Sequence, residues 1–156
     1  MKKILFLFLA IITLSACQDE VQLNNPAFQG QKQGVLWRAT SYEAKLTSDG
    51  FVILTGINGF ETLTMRTFKI SPHTSNFGTD VENFAELNNK SIGFQSNYST
   101  GFNGGSGQIT ITEYSNGTLS GNFNLKAVNT DTSLTAPDAV SFKNGVFYKI
   151  PVTVIP

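Results

Sequence analysis

Polar and apolar residues alternate most cleanly between Thr118 and Val128. Leu119, Gly121, Phe123, Leu125 and Ala127 fall on one side, and Ser120, Asn122, Asn124 and Lys126 on the other. A period of two over that length predicts an antiparallel strand with one buried and one wet face. A second alternating run, with Ile109 and Ile111, ends at Tyr114, and Asn116-Gly117 lies between the two. Asn-Gly accepts the positive φ angles of a tight turn, so these runs are expected to pair as a hairpin.

Other stretches carry the same period. Val35, Trp37 and Ala39 share a face, as do Leu63 and Met65 and then, on the opposite parity, Phe68 and Ile70. A change of parity flips every following side chain, so it predicts a bulge near Arg66-Thr67. Phe51–Leu54 is continuously apolar and reads as a strand buried on both faces or twisted near an edge. Ile92, Phe94 and Tyr98 keep period two, and Val140–Ile150 closes the pattern, with Asn144-Gly145 as a turn or a bulge. Two stretches break it. Ser71–Lys90 reads as a long connection in which 80–88 forms one short helix, with Val81, Phe84 and Leu87 inward. Thr130–Asp138 is polar and reads as a long hairpin loop. The expected fold is all-β: an antiparallel β-sandwich or flattened β-barrel of about eight strands over residues 34–156. The long 71–90 excursion suits a crossing between two sheets and favours the sandwich.

The N-terminus follows a different pattern. Lys2 and Lys3 precede an apolar run from Ile4 to Ile12, and Leu14-Ser15-Ala16-Cys17 follows. A short positive region, an apolar stretch under about 20 residues and small residues at the end make a secretory signal peptide, not a membrane span. Leu-Ser-Ala-Cys resembles the lipobox of bacterial lipoproteins. The resemblance implies cleavage before Cys17, a diacylglyceryl group on its thiol and a fatty acid such as palmitate on its new amine, so that the bilayer is a partner through Cys17. Residues 1–16 are then the signal peptide, 17–33 the anchor and a flexible tether, and 34–156 the domain. Acylation uses the one cysteine of the chain, which removes disulfide and thiolate chemistry from the domain.

Loss of Lys2 and Lys3 turns an even balance of 11 basic and 11 acidic residues into an acidic excess of two. That balance does not suggest nucleic acid as a partner. Acidic Asp19-Glu20 just after the cysteine resembles the export signal that sends lipoproteins of Bacteroidetes-type bacteria to the outer face of the outer membrane. Four further motifs follow in order: Gly34-x-x-Trp37-x-Ala39, Gly107-x-Ile109-x-Ile111-Thr112, Gly117-x-x-Ser120-Gly121-x-Phe123 and Asn144-Gly145-x-Phe147-x-x-Ile150-Pro151. Together they resemble a family of small Bacteroidetes outer-membrane lipoproteins of unassigned function. Membership implies location and an all-β domain, and supplies no catalytic residues.

Candidate chemistry is sparse. His73 is the one histidine, and a nucleophilic triad would need it beside Ser71 or Ser75 with a supporting carboxylate; it reads better as a loop residue. Asp80, Glu82 and Glu86 would share a solvated face if their segment were helical, and calcium would demand more oxygens than they supply. Gly101–Gly107 is glycine-rich but lacks the Lys-Ser/Thr pair of a phosphate cradle. Phe77 and Phe102 lie in expected loops and are the candidate exposed contacts for a protein or glycan partner. No cofactor and no metal is implied. The expected function is a lipid-anchored envelope module that binds or has a structural role without catalysis. Its alternative is a glycan-acting hydrolase whose carboxylates meet only in the fold.

Overall fold

The computed structural model describes residues 27–78, 82–101, 104–131 and 136–156. All regular structure there is strand: β1 Phe28–Lys32, β2 Val35–Arg38, β3 Ser41–Leu46, β4 Phe51–Asn58, β5 Glu61–Phe68, β6 His73–Phe77, β7 Phe84–Ser91, β8 Phe94–Ser99, β9 Ser106–Ser115, β10 Thr118–Asn129 and β11 Ala139–Val154. The all-β expectation holds with eleven strands in place of about eight.

Strand pairing settles sandwich against barrel. One layer runs β2-β1-β11-β10-β9-β6 and the other β3-β4-β5-β7-β8. Two corners join them. Val152–Val154 of β11 runs parallel to Ala44–Leu46 of β3, and Val128 and Asn129 of β10 pair with Ser99 and Tyr98 of β8. Hydrogen bonding therefore closes into a circuit, and the fold is a flattened barrel. Its core is aromatic. Phe28 meets Trp37, Phe123 and Phe147 edge-on, with centroids 5.9, 5.6 and 6.5 Å apart, and Trp37 meets Phe142 at 5.5 Å. Glycine makes room for these rings: a Cβ on Gly56 of β4 would stand 2.6 Å from the Phe28 ring, and one on Gly145 would stand 2.5 Å from Phe123. Small-against-large complementarity of this kind fills the interior between the layers.

The hairpin of β9 and β10 forms as expected. Ser115 pairs with Thr118 around Asn116 (φ 49°) and Gly117 (φ 72°). Leu119, Phe123, Leu125 and Ala127 are buried, with Asn122, Asn124 and Lys126 in solvent between them. Ser120, expected on the wet face, is instead buried at a register shift and accepts from Lys149 N–H. Asn144 is a bulge residue inside one continuous strand, where Gly145 still faces Phe123 but Phe142 is already opposite Leu125.

Four other expectations are corrected. Residues 84–88 are strand, not helix: Ala85 and Leu87 are buried at period two, and β7 pairs with both β5 and β8. Residues 80 and 81 of that expected helix lie outside the described residues. No bulge occurs at Arg66-Thr67, because β5 pairs with β4 without a register shift. The buried parity simply continues through Thr67, whose hydroxyl finds partners inside, while Phe68 faces out against Phe51 at 5.4 Å. Ile92 occupies a turn, and the inward parity of β8 is carried by Ser96 and Tyr98. Finally, the expected tether overlaps the fold: Phe28–Lys32 pairs with β11 on one side and β2 on the other, because Phe28 supplies the central ring of the core.

Candidate functional site

Strand direction places three tight turns together at one end of the barrel. The β1–β2 turn is Gln33-Gly34, both in the left-handed region (φ 49° and 81°), and it is fixed to β11 by bonds from Gln33 N to Ser141 O (2.9 Å) and from Gln33 Nε2 to Ala139 O (3.0 Å). The β4–β5 turn is Gly59-Phe60, and the β7–β8 turn is Ile92-Gly93. The last two touch through Lys90 N–H donating to Phe60 O at 3.0 Å. The first is drawn in by Glu61, whose carboxylate pairs with Lys32 Nζ and accepts from Trp37 Nε1 at 3.0 Å. These bonds carry β1 and β2 of one layer onto β5 of the other. A carboxylate with two donors from separate strands is well satisfied, so the clasp closes this end of the core without an unpaired charge.

Around the clasp the surface turns apolar. Ile92 is 96% exposed, Val35 71% and Phe60 61%. Val35 pairs directly with Lys32, Phe60 adjoins Glu61, and Phe94 flanks the Ile92 turn. Large exposed apolar side chains on three adjoining turns are a surface feature that suits contact with something other than water.

A second group of polar side chains sits elsewhere. His73 of β6 donates from Nδ1 to the Ser71 carbonyl at 2.7 Å, and its Nε2 lies 3.1 Å from Thr67 Oγ1, which is 2.9 Å from Ser75 Oγ. His73, expected in a loop, instead opens β6, and Thr67 stands between its imidazole and the Ser75 hydroxyl. The carbonyl takes the place that a triad would give to a carboxylate. Thr67, whose hydroxyl is shared by the imidazole and Ser75, is 0% exposed, so it holds β5 against β6 and does not meet a substrate.

The other sequence candidates scatter. Phe77, expected in a loop, closes β6 and is 2% exposed, packed in the core because residues 73–77 pair with β9. Its ring offers nothing to a ligand. Phe102 lies outside the described residues, as does Asp80. Glu86 stands in β7 between Thr64 and Ser99. Shallow depressions on the surface hold single acids, Glu43 in one and Asp49 in another. Among the described residues no three acidic, histidine or cysteine side chains gather at metal-ligand spacing. The turn cluster was missed by sequence reasoning, since Val35, Phe60 and Ile92 share no motif and meet only through sheet pairing.

No curated protein and no solved structure matches the chain. Residues 1–18 match the model of a prokaryotic membrane lipoprotein lipid attachment site, in agreement with the reading of Cys17, and the protein is a membrane-anchored lipoprotein. Residues 24–151 match a family model described as a domain of unknown function, and by that match, which takes in β1 to β10 and β11 as far as residue 151, the chain belongs to the DUF6252 family.

Proposed function

We propose that the protein is an outer-membrane lipoprotein, with its barrel displayed at the cell surface, that acts as a non-catalytic docking module. The observation that carries this reading is the apolar end, where Val35, Phe60 and Ile92 stand exposed around the Lys32–Glu61–Trp37 clasp. Binding energy comes mainly from apolar side chains moved out of water, and these are the large ones the fold leaves wet on adjoining turns. The interior supports a scaffold role, since the space between the layers is filled by Phe28, Trp37, Phe123, Phe142 and Phe147. Asp19-Glu20 supports the surface location through its resemblance to an export signal.

Two experiments test the reading. Shaving intact cells with protease should remove the domain if it is displayed; full protection until the cells are broken would place it inside. A photoreactive amino acid at position 60 or 92 should cross-link to a lipid or protein neighbour in cells well above the yield from position 48 at the opposite end. Equal yields from the two ends would refute docking through this end.

A further inference from the structure

We infer that the apolar end docks onto the bilayer that carries the anchor, with Phe60 and Ile92 entering the interface between headgroups and acyl chains. The inference rests on the docking reading above and names its occupant. It has three supports.

The first is reach. Ten residue steps separate Cys17 from Ala27, which allows at most about 35 Å of extended chain. From Ala27 the chain runs along β1 to the Gln33-Gly34 turn, six residue steps or about 20 Å away. The linking chain is thus long enough to double back beside β1 and set that end on the membrane. Confinement so near the surface raises the effective concentration of the turns at the bilayer, so weak apolar contacts suffice.

The second is shape. Phe60 and Ile92 stand at the tips of separate hairpin turns, flanked by the uncharged polar residues Asn58, Asn89, Ser91 and Gln33. Apolar tips with a polar collar match the steep change of polarity across a membrane interface; an amphipathic surface lies in that plane with its apolar side down.

The third is charge. Glu61 is the carboxylate at the centre of this end; Lys32 balances its charge and the Trp37 N–H donates to it. Lys90 is exposed beside Phe60. Asp131, just after β10, accepts from the backbone N–H of Asn97 in β8 at 2.8 Å and from its side-chain amide. The Lys32–Glu61 pair leaves no net charge between the apolar tips, and Lys90 suits anionic headgroups, while Asp131 and the exposed Asp138 carry negative charge beside the β1–β2 turn.

The test uses the full lipidated chain in vesicles of phosphatidylethanolamine and phosphatidylglycerol. Acylation occupies the thiol of Cys17, so Ile92→Cys and Ser48→Cys each present a single thiol for an environment-sensitive fluorophore. Circular dichroism and thermal melts matching the wild type establish that the labelled variants are folded. Quenching by nitroxide lipids should be at least about two-fold stronger at position 92 than at position 48, and Phe60→Ser should weaken it at position 92. Equal quenching at the two positions would overturn the inference. So would a blue shift at position 92 that depends on protein density and not on bilayer contact, which would assign the end to a second copy. If cells cross-link position 60 to a protein and the vesicles give no quenching, docking through this end stands and the bilayer as its occupant falls. Failure of fatty-acid labelling at Cys17 would instead remove the anchor on which both readings depend.

Discussion

The two ends of the barrel are made from the same part, the tight turn, but differ at the turn tips; the exposed apolar residues of the second end, Phe68, Tyr114 and Val154, lie on strands. At one end the turns carry Phe60 and Ile92, with Val35 beside them, and they are drawn together by a carboxylate shared between layers. At the other, the β3–β4 turn carries Ser48, Asp49 and Gly50, and the β9–β10 turn carries Asn116 and Gly117. Backbone bonds and one short side-chain contact hold that end. Thr47 Oγ1 contacts the Asp49 carboxylate, Gly50 N donates to Thr47 O at 3.0 Å, Lys69 N donates to Gly50 O at 3.1 Å and Val152 N donates to Gly117 O at 2.9 Å. The polar end is composed as turns in water usually are, with Asn, Asp, Ser and Gly supplying left-handed φ and side-chain bonds. The apolar end departs from that composition while keeping the same geometry. Local folding does not require Phe60 or Ile92, so their presence is better explained by what they contact.

The largest expected effect tests the scaffold beneath both ends. Phe123→Ala removes the ring that covers Gly145 and meets Phe28, and should cost about 3–5 kcal/mol in denaturant melts. Hydrogen exchange should then rise at both ends alike; a loss confined to one end would mean that the barrel is not one cooperative unit.

Glu61→Ala sharpens the contrast. It strands the Lys32 ammonium and the Trp37 N–H, both half-buried or deeper, and should cost about 1–3 kcal/mol. Asp49→Ala, the matching change at the polar end, involves an exposed carboxylate and should stay within about 0.5 kcal/mol. Equal costs in chemical melts would show that the clasp does no more than a surface bond. Asn116→Ala comes next: alanine must hold a φ of 49°, so about 1 kcal/mol of hairpin stability should go, and Asn116→Gly should lose much less. The smallest stability effect belongs to the most exposed residue. Ile92→Ser should leave the melting temperature within error while weakening membrane contact, whereas a clear destabilisation would make Ile92 part of the fold.

What the sequence made legible follows from where each signal resides. The β9–β10 hairpin was readable because both of its determinants are local: strict alternation along β10 and an Asn-Gly pair of matching φ. The β1–β2 hairpin has the same two-residue left-handed turn, but with glutamine first. Glutamine carries no intrinsic preference for that region. Its conformation is held by bonds to Ser141 and Ala139 on β11, more than a hundred residues away in sequence. Thr67 misled the parity of β5 because polar was read as outward, and only His73 and Ser75 across the core make its burial tolerable. In the 80–88 stretch, Val81, Phe84 and Leu87 recur every three residues as on a helix, yet Ala85 and Leu87 are the buried pair of β7 once β5 and β8 flank it. The turn cluster lay beyond reading for a related reason: strands from 32 to 92 must pair before its members become neighbours.

Orientation on the membrane is the central claim, and resonance energy transfer measures it most directly. The donor is placed at Ile92→Cys or Ser48→Cys in the lipidated protein, with acceptors on the headgroups of the vesicle. The ten residues of β9 alone extend about 34 Å, comparable with usual transfer distances, so the two ends of the barrel are resolvable. The account predicts markedly higher transfer from position 92 than from position 48. Higher transfer from position 48, or equal transfer from both, would contradict it.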